Sequence, residues 1–466
     1  MTVARALALW ALVAGCAPHP LPLGIGEAAP PGQNRNPHPL PTPAPEEPAP
    51  PPGHEPQEPL PDRLDLTVVG DDAGPAPADA STPNDPAPAA STTTAATTTT
   101  TALGPVWEDP SGTLGEALAA FRAHGRPLRV VQLGDSHTEG DAFTGPLRRR
   151  LWERLGDGGR GFVPVVGAQQ DVVRMLRGPW RVVRSGLHTA GAPNGLGLAR
   201  AIATLPDAML HVATCTRCPG GRTADRITVL YRPREAGGSL RIAIDGHPPE
   251  TVSTRTGGSF VRDVADGPHA VTVQPAGDGA VELYGVALDR AGDGARLDAA
   301  GVIGAQASHL RAEDWSVLGA QLAARAPTLV LLAFGTNEAF APHRDAAEDA
   351  ASFAALVQQV RAAVPDATVA LLGAPDGERR TPGAAGIFAP PPRLSAVIDA
   401  TRSTAAAEHA LFVDLRSVMG GPGTIGAWTL ERPPAAEPDH VHLTPRGYAR
   451  LAARLVEGLL GPRPAP

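Results

Sequence analysis

Three short segments of this chain carry residue types that together suffice for acyl transfer. Leu133-Gly134-Asp135-Ser136-His137 offers a hydroxyl nucleophile in a glycine-led turn. Gly335-Thr336-Asn337-Glu338 offers a carboxamide, and Asp439-His440-Val441-His442 offers an imidazole with a carboxylate earlier in the same loop. An ester hydrolase needs a nucleophile, a base within its reach, and donors for the oxyanion that develops. Ser136 is the candidate nucleophile, and a helix N-terminus there would let it offer its own backbone N–H as well. His442 is the candidate base, with Asp439 to orient its other ring nitrogen and stabilise the imidazolium. The Asn337 side chain and the backbone N–H of Gly304, in Gly301-Val302-Ile303-Gly304-Ala305, complete the oxyanion donors with Ser136. Losing one such donor typically costs about 3 kcal/mol of transition-state stabilisation.

Other polar residues near these segments have plainer readings. His137 shapes the turn or the pocket, and His440 is a rival base beside Asp439. Asp414 caps a loop, and Glu139 with Asp141 serves a helix dipole. The histidines His188, His247 and His309 are scattered without ligand spacing, so neither a metal site nor any cofactor is expected, and no Gly-rich phosphate loop occurs.

These residues must be positioned by strands and helices whose pattern is visible. Leu128 to Leu133 is an apolar run that stops at Gly134, which predicts a buried strand ending in a tight turn. Gly140 to Leu155 predicts a helix with Phe143, Leu147 and Leu151 on one face. Further helices are predicted over Leu310 to Arg325, Ala346 to Ala363 and Arg393 to Glu408. Between them come strands at Pro327 to Phe334, Thr368 to Leu372 and Leu411 to Asp414. Thr444 is a plausible N-cap for the last helix, with Pro445 at its first position. Alternating strands and helices argue for a parallel sheet covered on both faces, with active residues at the carboxyl ends of its strands.

Residues 172–290 read differently. Ile227 to Tyr231, Leu240 to Ile244, Ala270 to Val273 and Val281 to Tyr284 are short alternating runs separated by Gly, Asp and Pro. That is the pattern of an all-β module, a sandwich or jelly roll, inserted into the α/β domain.

The N-terminal part does not read as a folded domain. Residues 1–15 have one early charge, Arg5, an apolar run too short to span a bilayer, and a small-residue end. The end Val13-Ala14-Gly15-Cys16 resembles a lipobox, which implies an exported protein lipid-anchored through Cys16. An outer-membrane or periplasmic position is expected. Residues 16–104 are rich in Pro, Ala and Thr and lack the apolar surface to offset ordering entropy, so they read as a disordered tether. The folded hydrolase domain is expected over 105–466. Of its 466 residues the chain has no Lys, and its formal net charge of −8 gives no footprint for nucleic acid. Cys215 and Cys218 leave three readings open: a small disulfide loop, half of a zinc site, or a redox pair.

The blocks around Ser136, Gly304, Asn337 and Asp439/His442 resemble the SGNH (GDSL-type) esterase superfamily. The likeness implies a flavodoxin-like three-layer α/β domain and makes His442, by its spacing, the base rather than His440. Gly159-Arg160-Gly161-Phe162-Val163-Pro164 and Leu283-Tyr284-Gly285-Val286-Ala287-Leu288-Asp289 resemble the branch containing bacterial peptidoglycan O-acetylesterases. There a carbohydrate-module-like β-sandwich sits between the Ser and Gly blocks. Ile303 and Glu338 depart from it, where relatives often have Asn and Asp. The resemblance implies a serine esterase that removes O-acetyl groups from a cell-wall or other glycan. Two alternatives use the same residues differently: a glycan O-acetyltransferase, and a non-catalytic glycan-binding lipoprotein.

Overall fold

A computed structural model of the chain describes residues 106–110, 112, 128–186, 190–292, 294–381 and 387–462. All lie in the unit Ala95–Pro466. The expected signal peptide, the lipidated Cys16 and the tether fall outside the described residues.

The α/β half is organised around five parallel strands. They are β1 (Arg129–Gly134), β2 (Arg296–Gly301), β3 (Leu329–Ala333), β4 (Thr368–Gly373) and β5 (Leu411–Asp414). Their spatial order is β2-β1-β3-β4-β5, every neighbouring pair being parallel. This is a flavodoxin-like arrangement, and the order reverses between β1 and β3, which opens a crevice at their carboxyl ends. The helices are α1 (Thr144–Leu155), α2 (Ala307–Arg311), α3 (Trp315–Arg325), α4 (Thr336–Phe340), α5 (Ala346–Ala363), α6 (Leu394–Ala407), α7 (Leu415–Met419), α8 (Thr424–Leu430) and α9 (Pro445–Leu460).

Side chains along a strand alternate between the faces of its sheet, so each strand feeds two cores. Val130, Leu329 and Leu331 pack with Leu147 and Leu151 of α1 and with Leu451 and Leu455 of α9. Val131, Leu133, Val330 and Leu332 pack with Leu318 and Leu322 of α3, Phe353 and Leu356 of α5, and Val397 of α6. The three-layer architecture follows from that alternation. Among the described residues no helix is long and apolar enough to cross a membrane.

The inserted module is a pair of antiparallel sheets. One contains Arg181–Arg184, Ala199–Ala203, Ala224–Tyr231, Ser259–Gly267 and Val281–Asp289. The other contains Val172–Arg177, Met209–Thr214, Ser239–Ile244, Glu250–Ser253 and Ala270–Pro275. Ile227, Val229, Leu210, Val212, Val271 and Val273 form the core between them. The strand Gly159–Pro164, upstream of 172, also joins this module by pairing with Val281–Asp289. Cys215 and Cys218 form a disulfide, which selects one of the three readings of that pair.

Three local expectations need correction. The helix expected over Leu310 to Arg325 is two helices, because the Asp314 side chain accepts the Ser316 N–H at 3.0 Å and caps α3 afresh. The helix expected from Gly140 starts only at Thr144, since Gly140 and Asp141 both have positive φ (74° and 61°). Asp141 does not serve a helix dipole. It is buried and takes Arg148 at 2.7 Å and Arg160 at 2.9 Å, joining α1 to the strand Gly159–Pro164 of the module. Burial alone raises its carboxyl, but the two guanidinium groups outweigh that and hold it at about 2.

Candidate active site

The Ser136 turn is fixed by its neighbours before any substrate arrives. Gly134 ends β1 where an added Cβ would lie 2.7 Å from the Ala333 carbonyl oxygen, so only glycine fits. The Asp135 N–H donates to that same oxygen at 3.2 Å. The Asp135 carbonyl accepts the N–H groups of Thr138 and Glu139, and its carboxylate accepts the His137 N–H at 3.0 Å. Burial pushes the Asp135 carboxyl up to about 6. The backbone N–H of Ser136 finds no partner among the described residues, which leaves it available to an oxyanion. Ser136 does not stand at a helix N-terminus as expected. A 3₁₀ turn, Glu139–Asp141, intervenes before α1, so the helix dipole is not what serves it.

His442 reaches this turn from the loop that precedes α9. Its Nε2 lies 3.0 Å from Ser136 Oγ, and its Nδ1 lies 2.7 Å from Asp439 Oδ2. The other Asp439 oxygen accepts the N–H groups of Val441 and His442, each at 2.9 Å. Burial raises the Asp439 carboxyl, but these hydrogen bonds and the imidazole outweigh it and hold the group below its usual range. An ionised carboxylate only accepts, so the ring proton sits on Nδ1 and Nε2 turns its lone pair to the serine hydroxyl.

His137 and His440 do not compete for that position. His137 is buried, its Nδ1 lies 2.9 Å from the Tyr448 hydroxyl, and its ring is 5.2 Å from that of His442. Burial first, and the neighbouring His442 second, hold it near 3, so it is a neutral wall of the site. His440 turns away from Ser136 toward Glu378, at 2.7 Å. Asp414 accepts the Ser417 N–H and caps α7.

The two further candidate oxyanion donors, Gly304 and Asn337, lie in loops that are bonded to each other. Gly304 sits in an exposed turn with φ +74°, and its N–H has no partner among the described residues. Asn337 Nδ2 donates to the Ala305 carbonyl at 2.9 Å, which uses one of its two N–H bonds and leaves the other. The Val302 N–H donates to the Gly134 carbonyl, linking this loop to the serine turn as well. Glu338 completes the lock. Its carboxylate accepts the Ala307 N–H at 2.7 Å and the Gly335 N–H at 3.0 Å, and burial pushes it up to about 7. The sequence marked Glu338 only as a departure from a pattern. Its spacing from Gly335 is that of a capping box, the local signal that could have revealed its role. Among the described residues no group of three or more His, Cys, Asp or Glu side chains could hold a metal ion.

The GDSL-like lipase/acylhydrolase family model matches residues 257–450, a stretch that includes Gly304, Asn337, Asp439 and His442. A search of curated proteins by sequence returns no match. Among solved structures the chain is similar to a peptidoglycan O-acetylesterase, at 26% identity and TM-score 0.63, over 76% of this chain and 98% of that one. Family two carbohydrate esterases also align. One from Corynascus thermopiles (Myceliophthora fergusii), with a carbohydrate-binding domain, has 14% identity, TM-score 0.27 and coverage of 62% and 100%. One from Cellvibrio japonicus has 13% identity, TM-score 0.22 and coverage of 62% and 98%. Residues 257–450 thus carry a GDSL-like lipase/acylhydrolase region, and with the structural likeness this supports an SGNH-type hydrolase fold and an acyl esterase by class. Within that superfamily it resembles the branch of the peptidoglycan O-acetylesterase.

Proposed function

We propose that this protein is a serine esterase that removes O-acetyl groups from peptidoglycan or a related envelope glycan. The observation that carries the reading is the line of contacts Asp439 Oδ2, His442 and Ser136 Oγ, at 2.7 and 3.0 Å. Ser136 Oγ attacks the acetyl carbonyl while His442 Nε2 takes its proton. The N–H groups of Ser136, Gly304 and Asn337 receive the oxyanion. As the tetrahedral adduct collapses, the proton passes to the departing sugar oxygen and the acetyl group stays on Ser136. His442 then draws a proton from water, whose oxygen attacks the acetyl-enzyme, and acetate leaves with Ser136 restored.

The substrate class is supported by the likeness to a peptidoglycan O-acetylesterase and by a β-sandwich inserted beside the site. Export and a lipid anchor at Cys16 belong to the same reading and stand on the sequence alone. The test compares acetate release from O-acetylated peptidoglycan and from acetylated xylan. Faster release from peptidoglycan, abolished in Ser136→Ala, is expected. Equal release from xylan would remove the substrate assignment, and undiminished release by Ser136→Ala would remove the nucleophile.

A further inference from the structure

The loop that carries Asp439 and His442 is stabilised mainly by its own short-range bonds, and its catalytic side chains are poorly buried. The side chains of His442 and Asp439 are 38% and 49% exposed. Between them His440 has φ +59°, a left-handed conformation that a residue with a Cβ keeps only when its surroundings hold it there. Those surroundings are specific. Glu378, just after β4, places Oε2 2.7 Å from His440 Nδ1, and its backbone N–H donates to the His440 carbonyl at 2.8 Å. The Phe388 ring lies on the other side of the imidazole, 3.7 Å between centroids and 5° from parallel. Phe388 and Glu378 belong to one small unit, because Phe388–Ala389 pairs antiparallel with Arg379–Arg380.

We infer that Glu378 and Phe388 are positioning residues: they clamp His440 in its left-handed turn and thereby aim His442 at Ser136. Two carboxylate–imidazole pairs thus stand side by side at this loop, one internal to it and one reaching it from the segment after β4. Asp439–His442 faces the nucleophile, and Glu378–His440 holds the backbone between them. Neither Glu378 nor Phe388 touches a reacting atom, so their effect passes through His442. The inference rests on the reading of His442 as the base.

Steady-state hydrolysis of p-nitrophenyl acetate by the full chain tests it, with thermal melts of each variant alongside. A misplacement of the base by about 1 Å costs on the order of a hundredfold. Glu378→Ala and Phe388→Ala therefore lower kcat by roughly tenfold to a hundredfold with KM unchanged. Phe388→Tyr, which keeps the ring, and Glu378→Gln, which keeps an acceptor, recover part of the loss. In a His442→Ala background Glu378→Ala has no further effect, because an influence exerted through His442 vanishes with it. A purely structural role would lower activity in both backgrounds and would overturn the inference. Unimpaired Glu378→Ala beside an inactive His442→Ala overturns this inference alone, whereas a fully active His442→Ala overturns the base assignment with it.

Discussion

Ser136 and His442 meet at 3.0 Å from supports of different kinds. The serine turn grows from the end of a buried strand. Its backbone is bonded to β3 through Ala333, to its own carboxylate at Asp135, and to the Gly304 loop through Val302. The histidine comes from an exposed loop whose closest bonds are within itself, plus the grip of Glu378 and Phe388 on His440. The proposed nucleophile and oxyanion donors are thus preorganised by packing. The proposed base, His442, is preorganised by a few polar contacts and one aromatic stack. Changes in the first region should act through many bonds at once, and changes in the second should act on geometry with little cost to stability.

Removing either reacting group gives the largest effect. Ser136→Ala and His442→Ala should each lower kcat on p-nitrophenyl acetate by about 10⁴ or more, with melting temperatures near that of the parent protein. A similar loss of folding stability in both would contradict the contrast between the two supports. Next is the buried ion cluster under the serine turn. Asp141→Ala leaves Arg148 and Arg160 buried without their shared carboxylate, and should cost about 3–5 kcal/mol in urea unfolding. Asn337→Ala removes a proposed oxyanion donor and should lower kcat by about 10²–10³ with KM little changed.

The smallest effect is a pH dependence. The Glu338 carboxyl is raised from 4.5 to about 7 in the fold, chiefly by burial. Its protonated form favours folding, so that contribution is full below the unfolded value and is lost as pH rises through the folded one. Glu338→Gln should flatten this segment of the stability curve. Relative to the parent, the variant should gain about 2–3 kcal/mol between about pH 5 and about pH 8 in urea titrations. An unchanged difference between the two pH values would place the acidic form of Glu338 outside the account.

Much of this molecule was legible in its sequence for identifiable reasons. β3, α5, β5 and the start of α9 announce themselves by unbroken apolar runs, an even helical period, and Thr444 capping ahead of Pro445. β2 did not, because Asp298 sits in its middle. That carboxylate draws its closest bonds from the distant Phe162 N–H and Arg325, each at 2.7 Å, with Arg296 of the same strand at 3.6 Å. The strand Gly159–Pro164 was obscured in the same way by its glycines and by Arg160, whose partner is Asp141. At the site, Ser136, Asp439 and His442 lie in local motifs. Tyr448 behind His137, and Glu378 and Phe388 around His440, are joined by contacts between segments far apart in the chain. No periodicity or spacing encodes such contacts.

The central claim is that Ser136 carries the acyl group between two half-reactions. Intact-mass and peptide analysis of enzyme quenched during turnover of p-nitrophenyl acetate addresses it most directly. The account predicts one added acetyl group on the peptide containing Ser136, present in the parent and absent from Ser136→Ala. Acetylation at another residue, or turnover that persists in Ser136→Ala, would contradict it.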